Sequence, residues 1–245
     1  MRITQFFHLR MSIQALFLVF TIVSAPQAFT DINNVANVNN IEELRQSAEA
    51  GDAAAQFELG RRYDLAKGVK EDDEEAIKWY RKAAEQGVGK AQFNLALMYR
   101  FGEGIEEDYE KAVYWYKKAA EQGHVDAQYN LALSYKLGEG VEEDDEKAFL
   151  WYRRAADQGD ADAQVELGQR YAYGKGVEED QEKATEWYKK AADQGDAHAQ
   201  SYLGFRYGNG EGVEEDQEKA AGLYLKAAEQ GNAIAQYNLA LSYEL

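Results

Sequence analysis

Few residues in this chain could do chemistry, and their spacing argues against most of the chemistry they could do. Beyond residue 28 the histidines are His124 and His198, each at the start of an equivalent segment. No His-Glu-x-x-His run accompanies them, so a helical zinc site has no framework, and both histidines are expected on the solvent side. Acidic runs at Glu71–Glu75, Glu106–Asp108 and Glu142–Glu146 hold enough carboxylate for calcium. They lack the alternating Asp/Asn ligands and glycine turn of a calcium loop. At the start of a helix the same carboxylates are accounted for by the helix dipole. The cluster Gly208-Asn209-Gly210-Glu211-Gly212 looks superficially like a phosphate loop. No strand precedes it and no Lys-Ser/Thr pair follows. Cysteine is absent, which removes disulfides, zinc thiolates, thiol nucleophiles and lipid attachment through Cys. No Ser-x-x-Lys nucleophile motif occurs either. The expectation is a protein with no catalytic residues, no metal and no cofactor.

Composition narrows the partners. Across 245 residues, 44 acidic side chains face 27 Lys and Arg, a formal charge of −17. So acidic a surface excludes nucleic acid, whose phosphates need a basic face, and adhesion to an anionic membrane. The one proline, Pro26, stands near the N-terminus, and everything after it is free of the strongest helix breaker. Arg2, His8 and Arg10 precede an uncharged run, Met11–Ser24, and the small residues Ser24, Ala25 and Ala28 follow. Spanning a bilayer takes about 20 apolar residues, so residues 1–28 are expected to be a secretory signal peptide. An uncleaved anchor is the alternative. Cleavage would leave a periplasmic or secreted protein with no segment apolar enough to stay in a membrane. Residues 29–40 are expected to be a polar linker.

The rest of the chain is periodic. Trp79, Trp115, Trp151 and Trp187 are each 36 positions apart. Tyr80, Tyr116, Tyr152, Tyr188 and Tyr224 keep the same step, as do six Ala-Gln pairs from Ala55-Gln56 to Ala235-Gln236. One unit, His124–Gly159, splits into two helical patterns. In the first, Ala127, Leu131, Ala132 and Tyr135 share a face; in the second, Ala148, Trp151, Tyr152, Ala155 and Ala156 do. Gly138 and Gly140 break the chain between them, Asp144 is placed to cap the second helix, and Gly159 ends it. A helix pair cannot bury such a stripe alone, so neighbouring pairs must stack into a continuous core. Residues 41–50 match a lone second helix, with Leu44 at the Tyr position, Gly51 at the terminal glycine and Glu43 at the Trp position. Asn40 and Glu43 stand at capping-box spacing.

The pattern A-Q-x-x-L-[GA]-x-x-Y-x-x-G-x-G-[VI]-x-x-D-x-x-K-A-x-x-W-Y-x-K-A-A-x-Q-G resembles the Sel-one-like repeat, a relative of the tetratricopeptide repeat, over residues 41–245. The resemblance implies an all-α, right-handed solenoid of antiparallel helix pairs, about five repeats plus the N-terminal half-repeat. It also implies a non-catalytic scaffold or adaptor of the kind often found in exported bacterial proteins. Cysteine-rich members described as β-lactamases supply the alternative of an envelope hydrolase, although this chain lacks both their cysteines and the nucleophile motif. The departures are Ala66 in place of the first loop glycine, Leu223 in place of the fifth Trp, and Gly222 inside the last second helix.

In tetratricopeptide relatives the first helices line the concave groove. That resemblance points to Phe57, Arg61, Phe93, Leu97, Arg100, Tyr129, Leu133, Lys136, Tyr173, Phe205 and Tyr237 as protein- or peptide-binding residues. Lys90, Phe101, Leu137, Val165, Gln169, His198, Ser201, Ile234 and Leu241 flank them. The strip is aromatic and aliphatic, with basic residues in its first half, and suits an extended peptide bearing apolar side chains and an acidic group. Packing within the solenoid is the competing role for Phe57, Phe93 and Tyr129. Trp115 and Trp151, in central repeats, are expected to be buried between helices. A monomer is expected. End-to-end association through Leu239, Ala240 and Tyr243 stays open, because no second helix follows them.

Overall fold

The computed structural model describes residues 41–242, and all regular structure among them is helical. The signal-peptide and linker segments, and Tyr243, lie outside the described residues. First helices are α2 (Ala53–Asp64), α4 (Gly89–Phe101), α6 (Val125–Leu137), α8 (Ala161–Tyr173), α10 (Ala197–Asn209) and α12 (Ala233–Ser242). Second helices are α1 (Ile41–Glu49), α3 (Asp73–Glu85), α5 (Tyr109–Glu121), α7 (Asp145–Asp157), α9 (Gln181–Asp193) and α11 (Gln217–Glu229). Each helix packs on the one before and the one after it in the chain, giving a solenoid.

Local sequence explains where each helix starts. Asp72, Asp108, Asp144, Asp180 and Asp216 cap the second helices, each accepting a hydrogen bond from the backbone N–H three residues on. In four repeats the lysine at that third position also reaches back to the cap, as Lys147 does to Asp144 at 2.7 Å. Its ammonium lies over the first-helix Tyr135 ring, 5.4 Å from the centroid. One D-x-x-K-A motif therefore caps a helix and docks its start on the partner helix. Hydrogen bonding from Lys147 holds the Asp144 carboxyl below its ordinary range, and Asp144 in turn raises the ammonium.

The second-helix tyrosine is the centre of each unit. Tyr80, Tyr116 and Tyr152 are completely buried, and desolvation pushes their phenols far above the ordinary range, so they stay neutral. The tight approach explains the small residue in the first helix: a Cβ on Gly168 would lie 2.5 Å from the Tyr188 ring. The Ala-Gln pair also acquires a role. Gln128 donates to the Ala120 carbonyl of the preceding second helix at 3.1 Å and accepts from Gln158 of its own repeat at 2.7 Å. The equivalent bonds recur from Gln56 and Gln86 through Gln200 and Gln230. This buried ladder joins three consecutive helices at each step, which satisfies carbonyls that a helix C-terminus leaves open.

The glycine turns join repeats as well as helices. The first loop glycine is left-handed, as at Gly138 with φ 68°. Its replacement in the first repeat, Ala66, takes the same left-handed conformation with φ 52°, at a cost of about 1 kcal/mol. The second loop glycine packs against the start of the preceding repeat's second helix. In the fourth repeat that junction carries a buried cation: Arg170 donates to the Asp145 carbonyl at 3.1 Å and to its carboxylate at 2.8 Å. Arg206 does the same to Gln181 one repeat later.

Candidate first-helix binding face

Neighbouring first helices touch directly. Arg100 of α4 donates to Asn130 of α6 at 3.0 Å, Lys136 of α6 to Glu166 of α8 at 2.7 Å, and Gln169 of α8 to Tyr202 of α10 at 3.2 Å. Residues at matching positions on α2 to α12 therefore form rows running along the solenoid.

The sequence-derived strip divides into two layers. Phe57, Phe93 and Tyr129 are half-buried props for the core tyrosines. Their rings lie 5.9, 6.0 and 5.4 Å from those of Tyr80, Tyr116 and Tyr152. Val165 and Ser201 continue this row as buried residues. Val165 carries no ring, and Tyr202 from the next repeat stacks on Tyr188, at 5.1 Å. Leu97 and Leu133 are half-buried beside this layer. The outer layer is exposed: Phe101, Leu137, Tyr173 and Phe205 on α4 to α10, then Ile234, Tyr237 and Leu241 on α12. Tyr173 stands out most, at 70% exposure.

The basic residues differ from the expectation of a site for an acidic group. Arg61 pairs with Glu58 at 2.9 Å, Arg100 with Glu139 at 3.0 Å, and Lys136 binds both carboxylate oxygens of Glu166. Each of the three cations is thus engaged by a carboxylate of the protein itself, and the face offers apolar surface framed by closed ion pairs. Those acids, together with Tyr202 and the buried Arg170 and Arg206, were not singled out in the sequence. For Glu58, Glu166, Tyr202, Arg170 and Arg206 the signal was a residue that differs in kind from the Asn, Met or Ser at the same position of other repeats, whereas the Glu139 position is charged in every repeat and gave none.

His198 is exposed, as expected, but His124 is not a surface decoration. Its ring is half-buried, stacks on Phe93 at 4.7 Å and caps α6 by accepting from the Ala127 N–H. Desolvation depresses its pKa below 6.5, outweighing the opposite pull of Asp126, and Lys90 adds a smaller depression. A histidine with a depressed folded pKa contributes stability that is complete above its unfolded value and lost as pH falls through the folded value. Between about pH 7.5 and about pH 5, the melting temperature of the wild type should fall further than that of His124→Asn, which keeps a cap without a titrating group. Equal slopes would mean the ring titrates alike in both states. Among the described residues, no three His, Asp or Glu are placed to hold a metal, and no helix is long and apolar enough to cross a membrane.

Stacked helix pairs joined by repeated side-chain bonds, with an exposed apolar strip along one helix set, define an α-solenoid repeat protein. The Sel1 repeat family model matches residues 53–88, 89–124, 125–160, 161–196, 197–232 and 233–245, and the chain belongs to that family. Among solved structures it is similar to a protective antigen of uropathogenic Escherichia coli strains, with a TM-score of 0.80 and 44% identity over 83% of this chain and 44% of that one. It is also similar to a Sel1 repeat protein from Oxalobacter formigenes, with a TM-score of 0.74 and 36% identity over 85% of this chain and 86% of that one. Among curated proteins, the secretory immunoglobulin A-binding protein EsiB of Escherichia coli is 41% identical over 62 residues, 25% of this chain and 11% of that protein. The chain thus spans less than half the length of the antigen and matches about a tenth of EsiB.

Proposed function

We propose that this protein is an exported, non-catalytic scaffold that holds a protein or peptide partner along its first-helix face. The exposed apolar row Phe101, Leu137 and Tyr173, with Phe205 one helical turn before that position on α10, carries the reading. Residues that stay constant from repeat to repeat are consumed by caps, ladders and core, whereas this row varies and is left to solvent. Large apolar side chains held on rigid helices are what binding hot spots are made of. The similarity to an immunoglobulin-binding protein and to an antigen supports a protein partner met outside the cytoplasm. The partner's apolar side chains, not an acidic group, are the matching feature, because Arg61, Arg100 and Lys136 are already paired.

The test begins with capture of partners from envelope extract and culture supernatant on the immobilised protein. Leu137, Tyr173 and Phe205 changed together to Ala should leave helicity unchanged. Each anchor that is buried on binding contributes about 2 kcal/mol, so the captured partner should bind at least a hundredfold more weakly. Undiminished affinity would sink the assignment of this face. Turnover of β-lactams or peptidoglycan fragments by the purified protein would sink the non-catalytic reading.

A further inference from the structure

The second-helix side of the fifth repeat is built differently from its siblings. In the fourth repeat two cations lie over the Trp187 indole. Arg153 of α7 is 5.6 Å from the ring centroid, and Lys190 of α9 is 3.6 Å from it. One period further on, the same three positions are Lys189, Leu223 and Lys226. Both cations are kept and the ring they cover is gone. The neighbouring Gly222 adds no side chain, and nothing lies within 4 Å of where its Cβ would be. An open cleft of about 320 Å³ results, with Leu203 and Tyr207 of α10 and Leu223 of α11 supplying its apolar lining and Lys189 and Lys226 flanking it.

The charges at the cleft are unbalanced. Lys219, also on the lining, is satisfied by Asp216 at 2.8 Å and covers the Tyr207 ring, as its counterparts do in other repeats. Lys189 and Lys226 form no ion pair among the described residues, and Asp193 is the one acid that lines the cleft. Cations without an ion pair occur elsewhere on the second helices, but here two of them flank an apolar hollow.

We propose that this cleft receives an aromatic side chain of a partner polypeptide, flanked in the partner's sequence by acidic residues. The fourth repeat is the template: it shows what these positions do around an indole when the chain supplies one itself. The partner's ring would take the place of the missing indole, stacking under the two lysines and covering Leu203, Tyr207 and Leu223. Its neighbouring carboxylates would pair with Lys189 and Lys226, contacts that the solenoid does not fill. The contact is separate from the first-helix strip and holds whether or not that strip binds.

The test uses the full chain, isotope-labelled for NMR, titrated with the capped tripeptides Glu-Trp-Glu, Glu-Ala-Glu and Lys-Trp-Lys. Glu-Trp-Glu should shift the amide signals of Leu203, Tyr207, Gly222 and Leu223 in a saturable way. Each control peptide should bind at least about tenfold more weakly. Leu223→Trp, which rebuilds the fourth-repeat arrangement, should abolish the shifts. Lys189→Glu with Lys226→Glu should weaken binding by a similar factor without filling the cleft. Equal shifts from Glu-Ala-Glu, or shifts mapping elsewhere, would overturn the proposal, as would a folded Leu223→Trp that binds like the wild type. Equal binding of Lys-Trp-Lys would overturn its acidic part.

Discussion

Gly176→Ala is expected to cost about 3 kcal/mol or more and to uncouple the third repeat from the fourth, whereas Gly159→Ala is expected to cost about 1 kcal/mol. Both glycines have positive φ, 69° and 97° respectively, so both substitutions meet the same backbone penalty. They differ in what a methyl group would meet. At Gly159 nothing lies within 4 Å of the new Cβ, whereas at Gly176 it would overlap the Asp145 carbonyl and crowd the Glu146 amide. The Asp145 carbonyl is also where the buried Arg170 guanidinium lands, at 3.1 Å. Relieving the overlap means moving the loop away from α7, and that movement strips Arg170 of partners where water cannot replace them. The expected signature is local. Hydrogen exchange should speed up in α7 and α8 on either side of the junction, with α3 and α4 unaffected, because each repeat touches only its neighbours. Equal losses from the two alanines would mean the loop yields without disturbing the junction.

The period made much of this architecture legible. The positions of Asp144, Gly138 and Gly159 marked a cap, a turn and a helix end in the sequence, and the structure places them in those roles. Such signals are local, and six copies in one register reinforce each other. The binding face was harder to read because its character is set between repeats. Lys136 looks like a free cation until α6 and α8 are docked, which brings Glu166, thirty residues away, onto it. Phe93 looks like a docking aromatic until its ring is seen between Tyr116 and His124. The Gln ladder was visible only as a recurring letter, since its partners are backbone carbonyls eight residues upstream. Leu223 was noticed as a departure from the period, but the cations that give the departure meaning belong to two different helices.

The tryptophans carry the second large prediction, and here the structure changes the sequence-based expectation. Trp115 and Trp151 were expected to be buried because their repeats are central. Both are half-buried, whereas Trp79 and Trp187 are only 4% and 6% exposed. Centrality along the solenoid is not what decides. The core slot belongs to the tyrosine one residue later, which is completely buried at Tyr116 and Tyr152. The indole sits at the rim of the second helices, and its burial depends on the side chains laid over it. Trp187 is covered by Arg153 from the preceding repeat and by Lys190 from its own, whose stems shield it as well as their charges. Trp151 has Arg154 over it at 4.3 Å, and its remaining exposure shows that this cover is incomplete. Trp187→Ala should therefore cost about 3–5 kcal/mol, the range for deleting a buried aromatic. Trp151→Ala should cost about half as much, since part of its surface is already wet. Denaturant melts of the two variants measure the difference. Removing the indole should also leave a cleft between α7 and α9 like the one beside Leu223, with Lys190 and Arg153, the latter held by Asp157 at 3.1 Å, both beside it. That like-charge pair would add to the loss at low salt and be screened at high salt, so the deficit of Trp187→Ala should shrink as salt is raised while that of Trp151→Ala stays level. A Trp187→Ala melt indistinguishable from that of Trp151→Ala at every salt concentration would show that the two cations over this indole add nothing to its burial.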